Sequence, residues 1–378
     1  MAVLSEEQTM LRDGAKEWVT EKAPVSALRK LRDGGPDLGF DPAAWKEMGE
    51  MGWAGVIVPE AYGGSEFGYR SLGLVLEETG RTLAASPLVS TALVGASALT
   101  LGGTATQKEV WLGKIAAAEC VTALAVDEGA HHHPAAVAMK AEKSGDGYRL
   151  TGKKPFVLDG MAADLFIVAA RTSGKAGDEA GITLFLVPAD AKGLNRQPLH
   201  TVDSRGAADV GFDGVEVGAD AVLGQAGQGF GLLDQILDRA RAGLAAEMVG
   251  TAGQAFDITL EYLKTRTQFG QLIGTFQALQ HRAAKMFTHL EMTRSCVEAA
   301  LDAIDANAND VRALCSLAKA KASETLHLVS NEMVQMHGGI GMTDAHDAGL
   351  YMKRARVAEA TFGGASFHRD RYASLMGF

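Results

Sequence analysis

The decapeptide "RAGLAAEMVG" at 241–250 places one carboxylate, Glu247, in the middle of an apolar run with helical spacing. Gly243 and Leu244 stand one turn before it and Gly250 and Thr251 one turn after it, so no basic residue at those positions neutralises it. Steps of three and four residues bring Ala240, Gly243, Glu247 and Gly250 onto one stripe, an acid set in a row of the smallest side chains. A mid-helix glutamate ordinarily faces water. Here, however, each interior glycine costs the helix about 1 kcal/mol relative to alanine, and a flat ligand lying on the stripe would account for the glycines and the acid together. Desolvation at such a place is expected to raise the carboxyl pKa toward the range useful for a general base.

Other residue types that could do chemistry rank lower. His131, His132 and His133 suggest a metal, but consecutive residues of an extended loop point in alternate directions and no Cys or acid pattern completes a site. Cys120, Cys296 and Cys315 lie far apart with no CxxC spacing, which reads as buried thiols in a reducing compartment. Glu359, within "KRARVAE", and Asp238, within "LDRAR", are rival acids, each expected to be ion-paired with neighbouring basic residues.

The elements that must position these residues fall into three zones. Residues 5 to about 118 have helical periodicity in "EEQTMLRDGAKEWVTEK", "DPAAWKEMGEMG" and "RSLGLVLEETGRTLA", separated by Gly/Pro breaks such as "VPEAYGGSEFG". From about 119 to 222 the pattern becomes short strands, with "GYRLTGKKPFVLDG", "DLFIVAART", "GITLFLVPA" and "AADVGFDGVEVG" as runs of β-formers bounded by Gly, Asp and Pro. Long helical segments return at 229–264, 274–306, 309–337 and 345–358, a pattern that predicts an antiparallel bundle. The expected architecture is α+β and multidomain: a helical domain over 1–118, a β-barrel or sandwich over 119–222 and a four-helix bundle over 223–378.

A chain of 378 residues exceeds one ordinary core, and 47% hydrophobic with 22% charged residues is soluble globular composition. A net charge of -10 argues against a nucleic-acid backbone as partner. The start "MAVLSEEQTM" has acids where a signal peptide has a basic region, and "LVSTALVGASALTLGG" falls short of the roughly 20 apolar residues of a membrane span, so a cytoplasmic protein is expected.

Two C-terminal segments carry a specific resemblance. "KTRTQFGQLIGTFQALQHRAAKM" at 264–286 and "QMHGGIGMTDAHDAGLYMKRAR" at 335–356 resemble the acyl-CoA dehydrogenase family, the first in its R-x-Q-F-G-x-x-I-x-x-F-Q pattern and the second in its Q-x-x-G-G-x-G segment followed by a basic helix. "WKEMGEMGWAGVIVPEAYGG" and "TVDSRGAADVGFDGVEVGADAVLG" are similar to its N-terminal helix and loop and to the end of its β-domain. The resemblance implies that family's fold and FAD held between the β-domain of one subunit and the bundle of its neighbour. It also implies a homo-oligomer, as a dimer or homotetramer, or a hetero-oligomer with a related subunit. Arg266 would meet the FAD pyrophosphate, whose oxygens suit a guanidinium fork. Phe269 and Gln277 would contact the adenosine side, and Gln335 with Gly338 and Gly339 would let backbone approach the phosphates. The glycine pair also suits a helix C-cap.

The chain departs from the family where the base is concerned. The larger subset carries its glutamate in a Y-E-G-T-like sequence, a position that falls on Phe362, before Gly363 and Gly364, in "ARVAEATFGGASFHRDR". A second subset places it immediately before an arginine that matches Arg241, where this chain has Ala240. Glu247 lies two turns beyond Ala240, and sequences similar to "LAAEMVG" with an F-G-x-A segment recur among bacterial members acting on steroid side chains and other bulky acyl groups. The β-domain differs too. In "AVDEGAHHHP" the hydroxyls that meet flavin and substrate are replaced at Val126 and His132, and the segment behind the flavin reads Phe156, Val157 and Leu158.

The expectation is therefore α,β-dehydrogenation of an acyl-CoA thioester in β-oxidation of lipids or steroids. Glu247 would take the α-proton with Arg241 beside it, the β-hydride would pass to flavin N5, and an electron-transferring flavoprotein would accept the electrons. Ala240, Gly243, Phe362, Gly363, Gly364 and His132 would line the acyl pocket, Phe156 and Leu158 would back the flavin, and no metal or nucleic acid is expected. The alternatives are a non-catalytic partner subunit of a mixed assembly, or a flavoprotein oxidase of the same fold.

Overall fold

Ser5 opens the first helix by accepting from the backbone N–H of Gln8, whose side chain answers to the Ser5 backbone, a capping box that satisfies two donors the helix leaves orphaned. The computed structural model describes residues 3–35 and 37–378. Helices α1 (Glu6–Lys22), α2 (Val25–Gly34), α3 (Pro42–Glu50), α4 (Gly68–Arg81), α5 (Ala96–Gly102) and α6 (Ala105–Ala116) form the N-terminal third. The apolar stretch expected to be too short for a membrane becomes a buried π-helical segment, Leu88–Gly95, running into α5. Among the described residues no helix is long and apolar enough to cross a membrane.

The strands follow as β1 (Thr122–Ala125), β2 (Lys140–Ser144), β3 (Gly147–Leu158), β4 (Leu165–Arg171), β5 (Ile182–Pro188), β6 (Leu194–Pro198), β7 (Ala207–Val217) and β8 (Val222–Leu223). They form one sheet in the order β6-β7-β3-β2-β4-β5-β8, with β1 pairing parallel to β4. The sheet does not close: β6 and β8 remain edges, and β2 meets β4 at a single register pair, Lys140 with Arg171. Of the two expectations, sandwich and barrel, the arrangement is the sandwich. Every residue of β4 is buried, which is why "LFIVAAR" shows no alternation.

Helix α7 (Phe230–Thr265) is followed by a small hairpin of β9 (Thr267–Gln268) and β10 (Gln271–Leu272), then α8 (Gln277–Asp305), α9 (Val311–His337), α10 (Ala348–Ala360) and α11 (Ala365–Leu375). Helix α9 is the centre of this bundle, and α8, α10 and α11 all pack on it. The last helix was not legible as an element: its one buried residue is a histidine, His368, so it carries no apolar stripe.

The chain groups into two compact units, one of residues 1–29, 73–84 and 241–378 and the other of residues 30–72 and 85–240. In the first, α4 lies backbone to backbone against α7. A β-carbon on Gly250 would stand 1.8 Å from the Glu77 carbonyl oxygen, and one on Gly80 would stand 2.1 Å from that of Glu247. Thr251 Oγ1 bridges the two helices, donating to the carbonyls of Gly80 (3.1 Å) and Glu247 (2.9 Å). The expectation that a flat ligand explains Gly250 is thereby corrected: the missing side chain admits a neighbouring helix.

Candidate active site

Glu247 is 2% exposed, and its charge is met by Arg354 of α10. Arg354 Nε and Nη2 lie 2.9 and 2.8 Å from the same carboxylate oxygen, Oε1. The acid that stands alone on its own helix thus has a counterion 107 residues away in sequence, and the two form a buried ion pair. A buried pair of this kind is sustained only by good geometry, because each charge alone would carry several kcal/mol of desolvation.

Two further cations share this buried region. Arg241, fully buried, directs Nε toward the Phe362 carbonyl at 3.5 Å and stacks its guanidinium over the Phe367 ring at 5.6 Å. Lys319 of α9, also fully buried, donates to the carbonyls of Glu359 (3.1 Å) and Gly363 (2.9 Å) and lies 3.3 Å from Ser323 Oγ. Burial, opposed by Glu359 and reinforced by Arg241 and Arg354, pushes the Lys319 pKa down to about 7. Nothing in "LAKAKASE" separates this lysine from Lys321 two residues on, so sequence reasoning missed it.

The turn that occupies the family's usual base position is Phe362–Gly363, with φ of 57° and 102°. It ends α10 within the same unit as Glu247 and Arg241. Gly364 is the residue that precedes α11, and Gly243 is buried on α7. Glu359 is tied to Arg356 (2.9 Å) and His327 (3.2 Å). Ala240 is buried and, with His132, falls in the second unit.

In that second unit the histidine run resolves into one residue with a buried ring and two solvent-facing ones. The His132 ring is almost wholly buried and its Nδ1 lies 2.7 Å from Asp127, whereas His131 and His133 are exposed. Burial raises the Asp127 carboxyl, but the His132 ring, the His133 backbone N–H and Lys154 together hold it below the ordinary range. Lys154 is fully buried and donates to the Val126 carbonyl (2.8 Å) and Glu128 (2.6 Å). Burial pulls its pKa down against the pull of Glu128 and Asp127. No group of three His, Cys, Asp or Glu among the described residues is arranged to hold a metal.

The residues expected to hold a cofactor divide between the units. In the first, Arg266 is exposed and its guanidinium has no ion-pair partner among the described residues; Gln277 and Gln335 are exposed as well, and Phe269 is 91% exposed. Gly338 and Gly339 would have open space around an added β-carbon, so no internal packing demands glycine there, although Gly338 does sit at a φ of 62°. These segments are brought together by Tyr262, whose ring stacks on His337 at 4.3 Å; His337 in turn meets His346 at 4.2 Å. Burial lowers the His337 pKa, with His346 adding to the effect and the Met333 carbonyl opposing it. In the second unit Phe156 is 38% exposed, Leu158 is half-buried, and Val126 is buried with its carbonyl taken by Lys154.

Comparison with known proteins finds matches along nearly the whole chain. Three family models match in order: the acyl-CoA dehydrogenase N-terminal domain at residues 5–119, the middle domain at 123–215 and the C-terminal domain at 227–376. The short/branched chain specific acyl-CoA dehydrogenase of Bos taurus is 30% identical over 100% of this chain and 87% of its own length. The cyclohex-1-ene-1-carbonyl-CoA dehydrogenase of Geobacter metallireducens is 31% identical, covering 96% of both chains. Among solved structures, a variant of the Tcur3481-Tcur3483 steroid ACAD superposes with a TM-score of 0.89 at 33% identity over 98% of each chain. FAD is the cofactor these matches indicate. The exposed, unpaired guanidinium of Arg266, the projecting Phe269 ring and the unfilled space at Gly338 and Gly339 fit a large anionic group arriving from outside the chain.

Proposed function

This chain belongs to the acyl-CoA dehydrogenase family and is an acyl-CoA dehydrogenase, and from that premise we propose that it desaturates a branched or ring-containing acyl-CoA with Glu247 as the base. The observation that carries the reading is the burial of Glu247 against Arg354. Taking the α-proton neutralises Glu247 and leaves Arg354 as a buried cation, the charge that a carbanion developing beside a thioester needs nearby. Bound FAD supplies the acceptor for the β-hydride. Arg241 acts through the Phe362 carbonyl, fixing the turn rather than moving a proton. Arg266, Phe269, Gln277, Gln335 and the Gly338–Gly339 turn would hold the cofactor, which a second copy of the chain or a related subunit would help to enclose. Phe156 and Leu158 would back the flavin from the β-sandwich, and an electron-transferring flavoprotein would be the onward acceptor.

The acyl class rests on the small residues Gly363 and Gly364, which directly follow Phe362, the residue at the position where much of the family has its glutamate. Branched, cyclic and steroid substrates in the names of three relatives support it. Anaerobic titration of the purified yellow protein with a panel of acyl-CoA esters tests the proposal. Flavin bleaching by cyclohexanecarbonyl-CoA or another bulky ester, and weak bleaching by butyryl-CoA, is expected; the reverse order would overturn the substrate class.

A second reading is favoured by the same ion pair. A carboxylate held by two nitrogens of one arginine on a helix packed this tightly can also be a structural lock, which would make the chain the non-catalytic partner in a mixed assembly. That reading predicts no bleaching by any ester until a related subunit is added.

A further inference from the structure

The turn that ends α10 presents its backbone oxygens inward, and side chains from three other helices meet them. Lys319 of α9 donates to Glu359 and Gly363, at 3.1 and 2.9 Å. His368 of α11 places Nε2 at 3.0 Å from the Phe362 carbonyl, and Arg241 of α7 approaches that same oxygen at 3.5 Å. All three donors are fully buried. Facing Lys319 from the elements around it are Glu359 and Arg354 on α10 and Arg241 on α7.

A left-handed conformation at a phenylalanine, φ 57°, costs on the order of 1–3 kcal/mol and persists only where its surroundings over-determine it. Ordinary packing at the Lys319 position would be served by methionine, which fills similar volume without burying an amine. What lysine adds is donors. With its proton the ammonium serves all three acceptors; without it, two N–H groups still serve the carbonyls while the lone pair accepts from Ser323, so the grip persists in either form.

We propose that Lys319 and His368 are positioning residues for the reaction, holding the Phe362–Gly363 turn as a fixed wall of the acyl pocket. The proposal rests on the reading that this turn faces the acyl group. It assigns selectivity for bulky acyl chains to buried donors that touch neither substrate nor cofactor. The wall keeps its shape because its carbonyls are held from behind.

The test uses the full FAD-loaded protein and three variants, Lys319→Met, His368→Leu and His368→Gln, the last retaining a donor near the place of Nε2. Amide hydrogen exchange of the segment 360–365 is followed without ligand. The Kd values of cyclohexanecarbonyl-CoA and butyryl-CoA are read from perturbation of the flavin spectrum, and global unfolding in urea is measured alongside. Lys319→Met and His368→Leu are expected to speed local exchange by about tenfold or more and to shrink the ratio of the two Kd values by about tenfold, with His368→Gln close to wild type. Unchanged local exchange would overturn the grip. Faster exchange with an unchanged Kd ratio would overturn the wall while leaving Glu247 as base untouched. No flavin response to either ester in the wild type would overturn the functional reading beneath the proposal.

Discussion

Arg354 addresses one oxygen of Glu247 with two of its nitrogens, at 2.8 and 2.9 Å, in a region where both side chains are at most 5% exposed. Removing one partner takes a buried ion pair away from the other. Arg354→Met is therefore expected to cost about 3–5 kcal/mol of stability, and the double variant Arg354→Met with Glu247→Gln to recover most of it. Urea unfolding of the two single variants and the double variant measures the coupling directly.

The contact between α4 and α7 is the second place where a single atom matters. A methyl group at Gly250 would fall 1.8 Å from the Glu77 carbonyl oxygen, and one at Gly80 would fall 2.1 Å from that of Glu247. Alanine at either position must push the helices apart, an overpacking cost of about 1–3 kcal/mol or more. Because the Gly80 contact is with Glu247 itself, Gly80→Ala should also slow flavin reduction, whereas an alanine at half-buried Gly349, which has open space around an added β-carbon, should do neither.

These glycines also show where sequence runs out. The alternation of helical and strand periodicities gave the three zones, and the motifs at 264–286 and 335–356 gave the family, because both signals are local. Glu247 was singled out by what its own helix lacks. Its counterion was invisible, since pairing across 107 residues leaves no spacing to read. For the same reason Gly250 suggests a ligand when a helix fills the space, and nothing in the sequence marks Lys319 as buried. His132 is expected in the acyl pocket in place of a hydroxyl, and its ring lies buried beside Asp127. Its partner Asp127 lay five residues away, close enough to find, but an extended loop gives no rule for which histidine turns inward.

Lys319 makes stability depend on pH in a stated direction. Its pKa is about 7 in the fold and near 10.5 in the unfolded chain, so between those values the unfolded state binds more protons. Stability should then rise as pH goes from about 7 to 10.5 and be lost again as pH falls back toward 7, each pKa unit being worth about 1.4 kcal/mol at most. Lys319→Met should flatten that rise. Chemical denaturation of both proteins across the window checks it.

Arg266 is exposed and free of ion-pair partners among the described residues, so it contributes little to the fold. Arg266→Ala is expected to leave the unfolding midpoint within about 0.5 kcal/mol of wild type and to weaken FAD retention by about tenfold or more, the loss of a charge-assisted contact to phosphate. Flavin content per chain after gel filtration, beside a thermal melt, separates the two effects.

The central claim is that Glu247 removes the α-proton, and the most direct measurement is the rate of flavin reduction when FAD-loaded Glu247→Gln is mixed anaerobically with the CoA ester that best bleaches the wild type. Glutamine keeps the shape and an acceptor for Arg354 but gives up the buried ion pair, so FAD should stay bound while the melt falls below wild type. Reduction is predicted to slow by about two to four orders of magnitude. Reduction at a rate close to wild type would contradict the account, leaving the fold and the family intact but the base elsewhere.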